Sequence, residues 1–487
     1  VPDIEATNVD VVVVGGGGAG LAAAVAAAQQ GATVHLLEKQ DRVGGSTILS
    51  VGSFSASGTR FQKRKGIDDR AEDYAEDMVR FDPERLTGDA PEMRLLLARE
   101  SAETLHWLES LGVAFTGPFL EPPHRKPRMH NIIPNARAYV DRLEGAARKL
   151  GVGITTGAKD TELTTEDGRV VGVRVVVGDG PREYRARGGV VLAAGDFSGN
   201  DEMRREFLPA DAAAASPINP HASGDGQRLA MALGAATKGM AVTFGPQLRF
   251  PESPKPGLLS RLPTWRWLCK LEAGIVQRVP TSWIKPLVKS LLITWMSPSP
   301  DMFEEGTVLV NRQGNRFCDE RTSTGSLAFE SEGKGFLVLD SRIAEHFNVA
   351  PHAISTAPGI AFAQFNDYRR GRPDLIHEAP DVRSLAEAIG VDPNNLAAAV
   401  ADRSFELPLY AMGPLYSMLT VTEGGVRVDD QMRVLREDGE IIEGLYGAGG
   451  MAQSGMLLKG HGHHIAWVMT SGRLAAYAAA ERAKASA

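Results

Sequence analysis

Between residues 10 and 40 the chain changes its hydrophobic rhythm twice. Residues 11–14 (VVVV) form a solid β-branched run, the pattern of a strand buried on both faces. The glycines of "GGGGAG" break it, and the small apolar residues 22–28 predict a buried helix. Residues 33–37 (TVHLL) return to strand character and end at Glu38. Two later stretches repeat the motif of a short apolar strand running into glycines: "GGVVLAAGDFSGN" (188–200) and "GLYGAGGMAQSG" (444–455). Helical periodicity marks 91–112 and 136–151. The stretch "EDGRVVGVRVVVGDG" (166–180) reads as a turn and strand of a small antiparallel layer. The pattern predicts an α/β fold around a mostly parallel sheet.

The glycines give that sheet a ligand. Gly15, Gly17 and Gly20 hold the G-x-G-x-x-G positions. The first permits a tight turn, the second lets a pyrophosphate approach the backbone, and the third lets helix and strand pack closely. Gly18 and Ala19 open the helix, whose positive end faces the phosphates. Glu38, followed by Lys39, lies where an acid accepts ribose hydroxyls. A second glycine turn, Gly44, Gly45, Ser46 and Thr47, favours FAD over a nicotinamide cofactor, and Ser50 and Gly52 continue its course. Ala158, Ala194, Gly195, Asp196, Gly449 and Gly450 complete the expected cofactor wall, with His464 and Ile465 at the start of the last helix.

With these motifs, the sequence resembles the flavoprotein family of fumarate reductases and succinate dehydrogenases, specifically its 3-ketosteroid dehydrogenase-like branch. Further carriers are "GGSTILSVG", "ASGDGQRLAMALGAA" (222–236), "VLVNRQGNRFCDE" (308–320), "EGGVRVDDQMRVLR" (423–436) and "SGRLAA" (471–476). The resemblance implies a Rossmann-like FAD-binding domain with a small antiparallel layer, split by an inserted α+β cap domain. It places the FAD domain at 1–240 and 411–487 and the cap, which carries the substrate side, at 241–410. It implies removal or addition of two hydrogens across a carbon–carbon bond next to a carbonyl. It also implies non-covalent FAD, because the histidine that covalent members carry near the "GGST" turn is missing.

The segment "LLKGHGHHIAW" (457–467) draws the candidate chemistry together. Set against the family, the carboxylate-binding arginine of fumarate reductases falls on Lys459. The carbonyl-binding tyrosine of the steroid enzymes falls on Leu458, and their carbonyl-binding glycine amide on Gly462. Lys459, His461, Gly462 and His463 are therefore the expected groups for carbonyl binding and proton transfer, a task imidazole performs near neutral pH. The family's proton-transfer slot falls on Thr324, a poor base. His124, His130 and Tyr416 are further candidates, with core packing or surface placement as the plain alternatives. The histidine spacing in a glycine loop does not suit a metal, and none is expected.

Composition narrows the class. A net charge of −7 argues against nucleic-acid binding, and two cysteines offer neither a disulfide framework nor a thiolate cluster. No apolar run reaches the about 18 residues of a membrane span, and no leader is visible at the first residues, so a cytoplasmic enzyme is expected. One segment stands apart. Residues 255–296 carry Lys255, Arg261, Arg266, Lys270, Arg278, Lys285 and Lys289 against a single acid, Glu272, with four tryptophans interspersed. It reads as packed cap helices, a lid, an oligomer surface or a peripheral membrane contact. The expected function is an FAD-dependent dehydrogenase that introduces a C=C bond beside the carbonyl of a hydrophobic or alicyclic ketone and passes electrons to an unidentified acceptor. The alternatives are a fumarate-reductase-like reductase of an activated alkene, and a membrane-peripheral flavoprotein feeding a quinone or carrier.

Overall fold

The computed structural model describes residues 6–83, 89–178, 180–253, 262–278, 296–322, 324–357, 361–456 and 458–486. The valine run lies in the strand Ala6–Val14, which pairs in parallel with Val34–Leu37 on one side and Gly180–Leu192 on the other. Gly153–Thr155 and Ile441–Gly447 extend the parallel sheet at its two flanks. Ala158–Glu166 and Arg169–Val177 form the antiparallel layer, joined to Gly180–Leu192. The three glycine-ended strands foreseen from sequence are therefore direct neighbours, and their tips end side by side.

Small residues allow very close helix packing over this sheet. The helix Gly18–Gln29 lies against the C-terminal helix His463–Ala485. A Cβ at Gly20 would stand 1.8 Å from the Gly15 carbonyl oxygen, and one at Gly472 would stand 2.3 Å from that of Ala19. Glycine is thus required at both close approaches, helix on strand-end turn at Gly20 and helix on helix at Gly472. Val11, Val12, Val13, Leu21 and Trp467 are fully buried in the resulting core.

A second sheet of six strands centres on Leu409–Leu419. That strand pairs with Lys334–Asp340, Gln247–Arg249 and Ile376–Ala379 in antiparallel fashion, and with the short Ser216–Pro217 in parallel. Its apolar faces bury two further clusters, one around Phe250, Phe347 and Tyr368 and one around Val308, Leu385 and Leu396. Of the basic, tryptophan-bearing segment, residues 262–278 and 296 are described. Lys255, Arg261, Trp283, Lys285, Lys289 and Trp295 lie outside the described residues. Among the described residues no helix is long and apolar enough to cross a membrane.

Candidate active site

A cavity of about 1710 Å³ opens where the glycine tips meet the second sheet. One drug-sized ligand fills roughly 300–1,000 Å³, so this space accommodates a dinucleotide together with a second molecule. Gly15, Gly17, Gly18 and Ala19 line it, as do Glu38, Lys39, Gly45, Ser46, Thr47, Ser50 and Gly52. Ala158, Ala194, Gly195, Asp196, Gly449, Gly450, His464 and Ile465 complete the expected set on its wall. Gly20 and Gly44 are not on the wall. Gly20 instead lets the helix Gly18–Gln29 pack onto the Gly15 turn at the end of the first strand. Gly44, at φ 142°, turns the chain into the short helix Gly45–Leu49.

The local backbone explains why this wall suits a pyrophosphate. Gly17 enters the helix Gly18–Gln29 in extended conformation without a side-chain cap, so the positive helix end faces the cavity through bare backbone. The Gly18 amide donates to Thr47 Oγ1 at 3.1 Å, which ties the two glycine turns together. A Cβ at Gly18 would lie 2.6 Å from that oxygen. Glu38 accepts from the Gly16 amide (2.6 Å) and the Gln40 amide (2.8 Å), so it also braces the first turn. Lys39 pairs with Asp225 at 2.9 Å. A bare-backbone cradle at a helix end, backed by hydroxyls and an acid, fits FAD.

The polar chemistry gathers at the turn before the last helix. Gly460 and Gly462 have φ of 112° and 87°, and a Cβ at Gly462 would stand 2.6 Å from the Ser55 amide nitrogen. Both positions need glycine, and together they present His461 to the cavity. Ser55 holds the turn from behind, its hydroxyl donating to the His461 carbonyl (2.8 Å) and its amide to the Gly462 carbonyl (3.2 Å). His461 Nδ1 pairs with Glu121, a buried carboxylate that also accepts from the His461 amide at 3.1 Å. Burial disfavours the charged imidazole, and nearby Arg249 opposes it further. The hydrogen bond and charge of Glu121 outweigh both and raise His461 above its ordinary pKa.

Two more groups share this wall. Arg249 donates to Gln247 Oε1 (3.0 Å) and Thr420 Oγ1 (3.1 Å), and burial pulls its guanidinium down to about 10, still charged at neutral pH. His464 stacks on Phe244 at 6.2 Å, with its Nε2 3.0 Å from Glu423 Oε1.

Behind the wall lies a second pair of imidazoles. His463 Nδ1 donates to the Lys459 carbonyl at 2.7 Å, since that oxygen can only accept. His124 Nδ1 faces Arg128 Nη1 at 3.0 Å and must accept, since guanidinium can only donate. The His124 Nε2 proton therefore points at His463 Nε2, 3.0 Å away. This assignment uses each nitrogen once with both rings neutral, the form their surroundings favour. Burial, aided by His463 and Arg128, pushes His124 down to about 2. Burial likewise pushes His463 down to about 4, against the opposing pull of Glu121. Arg128 is itself buried and held by Asp69 (2.7 and 2.8 Å) and Asp77 (2.5 Å).

Of the groups expected from sequence to do chemistry, His461 and Gly462 therefore reach the cavity, and six others do not line it. Lys459 turns towards Asp82, with its Nζ 3.5 Å from that carboxylate. His463 and His124 are engaged with each other. His130 is fully buried, its Nε2 3.1 Å from Thr59 Oγ1, and burial lowers it to about 4. Thr324 opens the 3-10 turn Thr324–Phe329, and Tyr416 stands in the middle of the strand Leu409–Leu419. Glu121, Arg249 and Glu423 join the site without belonging to the set expected from sequence. Glu121 lies 340 positions from its partner in the chain, and no local spacing signals such a contact. Among the described residues no group of three or more His, Cys, Asp or Glu side chains is placed to hold a metal.

A parallel sheet with converging glycine tips, a bare helix end and a roomy cavity define a dinucleotide-dependent oxidoreductase architecture. The model of the FAD binding domain family matches residues 10–265 and 272–458, and the chain belongs to that family. It is an FAD-dependent oxidoreductase of the fumarate reductase/3-ketosteroid dehydrogenase group, whose members act on CH–CH bonds. The fumarate reductase (cytochrome) of Shewanella frigidimarina is 27% identical over 497 residues, covering 98% of this chain and 78% of that protein. The 3-oxosteroid 1-dehydrogenase of Mycolicibacterium smegmatis is 26% identical over 412 residues, covering 73% of this chain and 64% of that protein. The NADH:acrylate oxidoreductase of Vibrio harveyi is 26% identical over 423 residues, which cover 79% of this chain, but the chain spans 36% of that protein's length. The open conformation of a flavocytochrome c3 fumarate reductase shares the fold, with a TM-score of 0.75 at 24% identity, over 98% of this chain and 79% of that one.

Proposed function

We propose that this chain dehydrogenates a hydrophobic or alicyclic ketone, introducing a C=C bond next to its carbonyl. The observation that carries the reading is His461. It is an imidazole held towards its charged form by a buried carboxylate, facing a cavity whose outer walls are set with Phe119, Phe244, Leu262, Val276 and Met296. Two hydrogens leave such a substrate: a hydride, which bound FAD accepts, and a proton, which a side chain must take. His461 donates a hydrogen bond from Nε2 to the carbonyl oxygen, where negative charge develops as the neighbouring carbon loses its proton. The Gly462 turn keeps that donor in place. His464, a second imidazole on the wall and the next-but-two residue after His461, takes the proton, with the Glu423 carboxylate beside its ring. Sequence similarity to a relative named 3-oxosteroid 1-dehydrogenase supports this direction. FAD is held without a covalent bond, the chain divides into an FAD part (1–240 and 411–487) and a cap (241–410) whose sheet shares the strand Leu409–Leu419 across the second boundary, and segment 255–296 supplies a peripheral contact surface.

One observation favours a second reading. Arg249 places a fixed positive charge beside His461, a partner suited to a substrate carboxylate. Relatives named fumarate reductase and NADH:acrylate oxidoreductase point the same way, to reduction of an activated alkene. Anaerobic mixing distinguishes the two. Bleaching of the flavin by saturated alicyclic ketones, with enone formed, supports the dehydrogenase. Resistance to every ketone, with rapid reoxidation of prereduced enzyme by unsaturated carboxylates, replaces it with the reductase.

A further inference from the structure

The helix Arg266–Arg278 stands at the outer mouth of the cavity, and its two faces have different surroundings. The inner face buries Cys269 and Ala273 against Ala114, while Glu272, Ile275 and Val276 look into the cavity. The outer face is bare: Trp267 is 62% exposed, Leu271 54% and Ile275 50%. These three fall at i, i+4 and i+8, one stripe along the helix. Trp265, 57% exposed, stacks on Trp267 with ring centroids 6.1 Å apart. The helix is not a loose arm. Just ahead of it, Thr264 donates to Asp141 at 2.5 Å and Arg137 donates to the Leu262 carbonyl at 3.0 Å.

Charge selects the partner for this stripe. Arg266 and Lys270 are exposed beside it, and the sequence from 255 to 296 holds seven basic residues and one acid in a chain of net charge −7. The one acid, Glu272, is turned to the cavity side. Tryptophans, aliphatic residues and flanking cations on one helix face match the chemistry of a bilayer interface. The indoles sit at headgroup depth there, and the long basic side chains reach anionic phosphates.

We infer that the outer face of this helix docks on an anionic lipid surface and sets the cavity mouth against the bilayer. Ile275 belongs both to the exposed stripe and to the cavity lining, so the docking face and the cavity meet at an apolar side chain. The inference rests on the hydrophobic-ketone reading for its purpose: a substrate dissolved in lipid enters without crossing water.

The test uses the full chain loaded with FAD, in flotation with phosphatidylcholine vesicles with and without phosphatidylglycerol. Wild type floats with the anionic vesicles, stays in solution with the neutral ones, and is released by high salt. The substitutions Trp267→Ser with Leu271→Ser lower the bound fraction by about tenfold or more, and Arg266→Glu with Lys270→Glu abolish the preference for anionic lipid. Both variants keep the flavin spectrum and thermal midpoint of wild type, which separates lost docking from lost folding. Wild type that ignores anionic vesicles overturns the inference. So does docking that survives both pairs of substitutions, or light scattering showing that the tryptophan face joins two copies of the chain. Flotation is read without substrate, and ketone oxidation is read without vesicles, so failure of one does not imitate failure of the other.

Discussion

His461 and His463 are separated by a single glycine, yet the fold gives them opposite chemistry. His461 sits on the cavity side of the turn, and Glu121 raises it above its ordinary pKa, towards its charged form. His463 sits on the inner side, where its partners are a backbone carbonyl and another neutral imidazole, and burial lowers it to about 4. Three histidines in four positions therefore do not amount to one catalytic cluster. The partner on the far side of each ring decides, and the left-handed Gly462 between them sends the two side chains to different partners.

The contrast is broken most severely through Arg128, whose guanidinium neutralises the buried Asp69 and Asp77 and fixes the His124 tautomer. Arg128→Met leaves those carboxylates without their shared partner and costs about 3–5 kcal/mol, read as a lower midpoint in urea unfolding. His461→Gln removes the charged donor but none of the buried pair. It lowers kcat by about 10²–10⁴ while FAD binding, followed by flavin fluorescence, is retained.

Glu121→Gln sharpens the comparison through pH. The protonated His461 is the working form in the proposed reaction, so activity falls as pH rises through its raised pKa. Removing the carboxylate brings that fall to lower pH, visible as an acid shift of the descending limb of kcat/KM. The same groups enter stability with opposite signs. His461 binds its proton more tightly when folded, so its contribution is complete below the unfolded imidazole pKa and disappears as pH rises through the folded one. His463 contributes fully above the unfolded value and loses that contribution as pH falls through about 4. Urea midpoints measured from neutral pH to pH 4 therefore decline for wild type and decline less for His463→Asn. The smallest effects belong to residues off the wall. Thr324→Val and Tyr416→Phe change kcat by no more than about twofold, the scale of substitutions remote from special features.

What could be read in the sequence was local. The glycine turn at 15–20 and the helices observed at Pro91–Ser110 and Arg137–Lys149 declare themselves by spacing within one element. So does the helix start at His463, where a glycine precedes an apolar run. The roles of the side chains before it could not be read, because each is set by a group from a distant part of the chain. Asp82 draws Lys459 off the wall, and His124 occupies His463. Glu121 arrives beside His461 from the loop between the strands Ala114–Phe119 and Met129–Ile133. Arg249 reads in sequence as part of a Pro/Gly boundary stretch, and its place on the cavity wall follows only from its strand pairing with Leu409–Leu419.

The measurement that tests this division most directly is the pH dependence of the imidazole nitrogen resonances in the FAD-loaded protein, assigned by single histidine substitutions. The structure predicts one ring, His461, that titrates above the ordinary imidazole value and moves down in Glu121→Gln, while His124 and His463 stay neutral from pH 9 to pH 5 with protons fixed on Nε2 and Nδ1 respectively. A His461 that loses its proton below the ordinary value, or a His463 that charges near neutral pH, would contradict it.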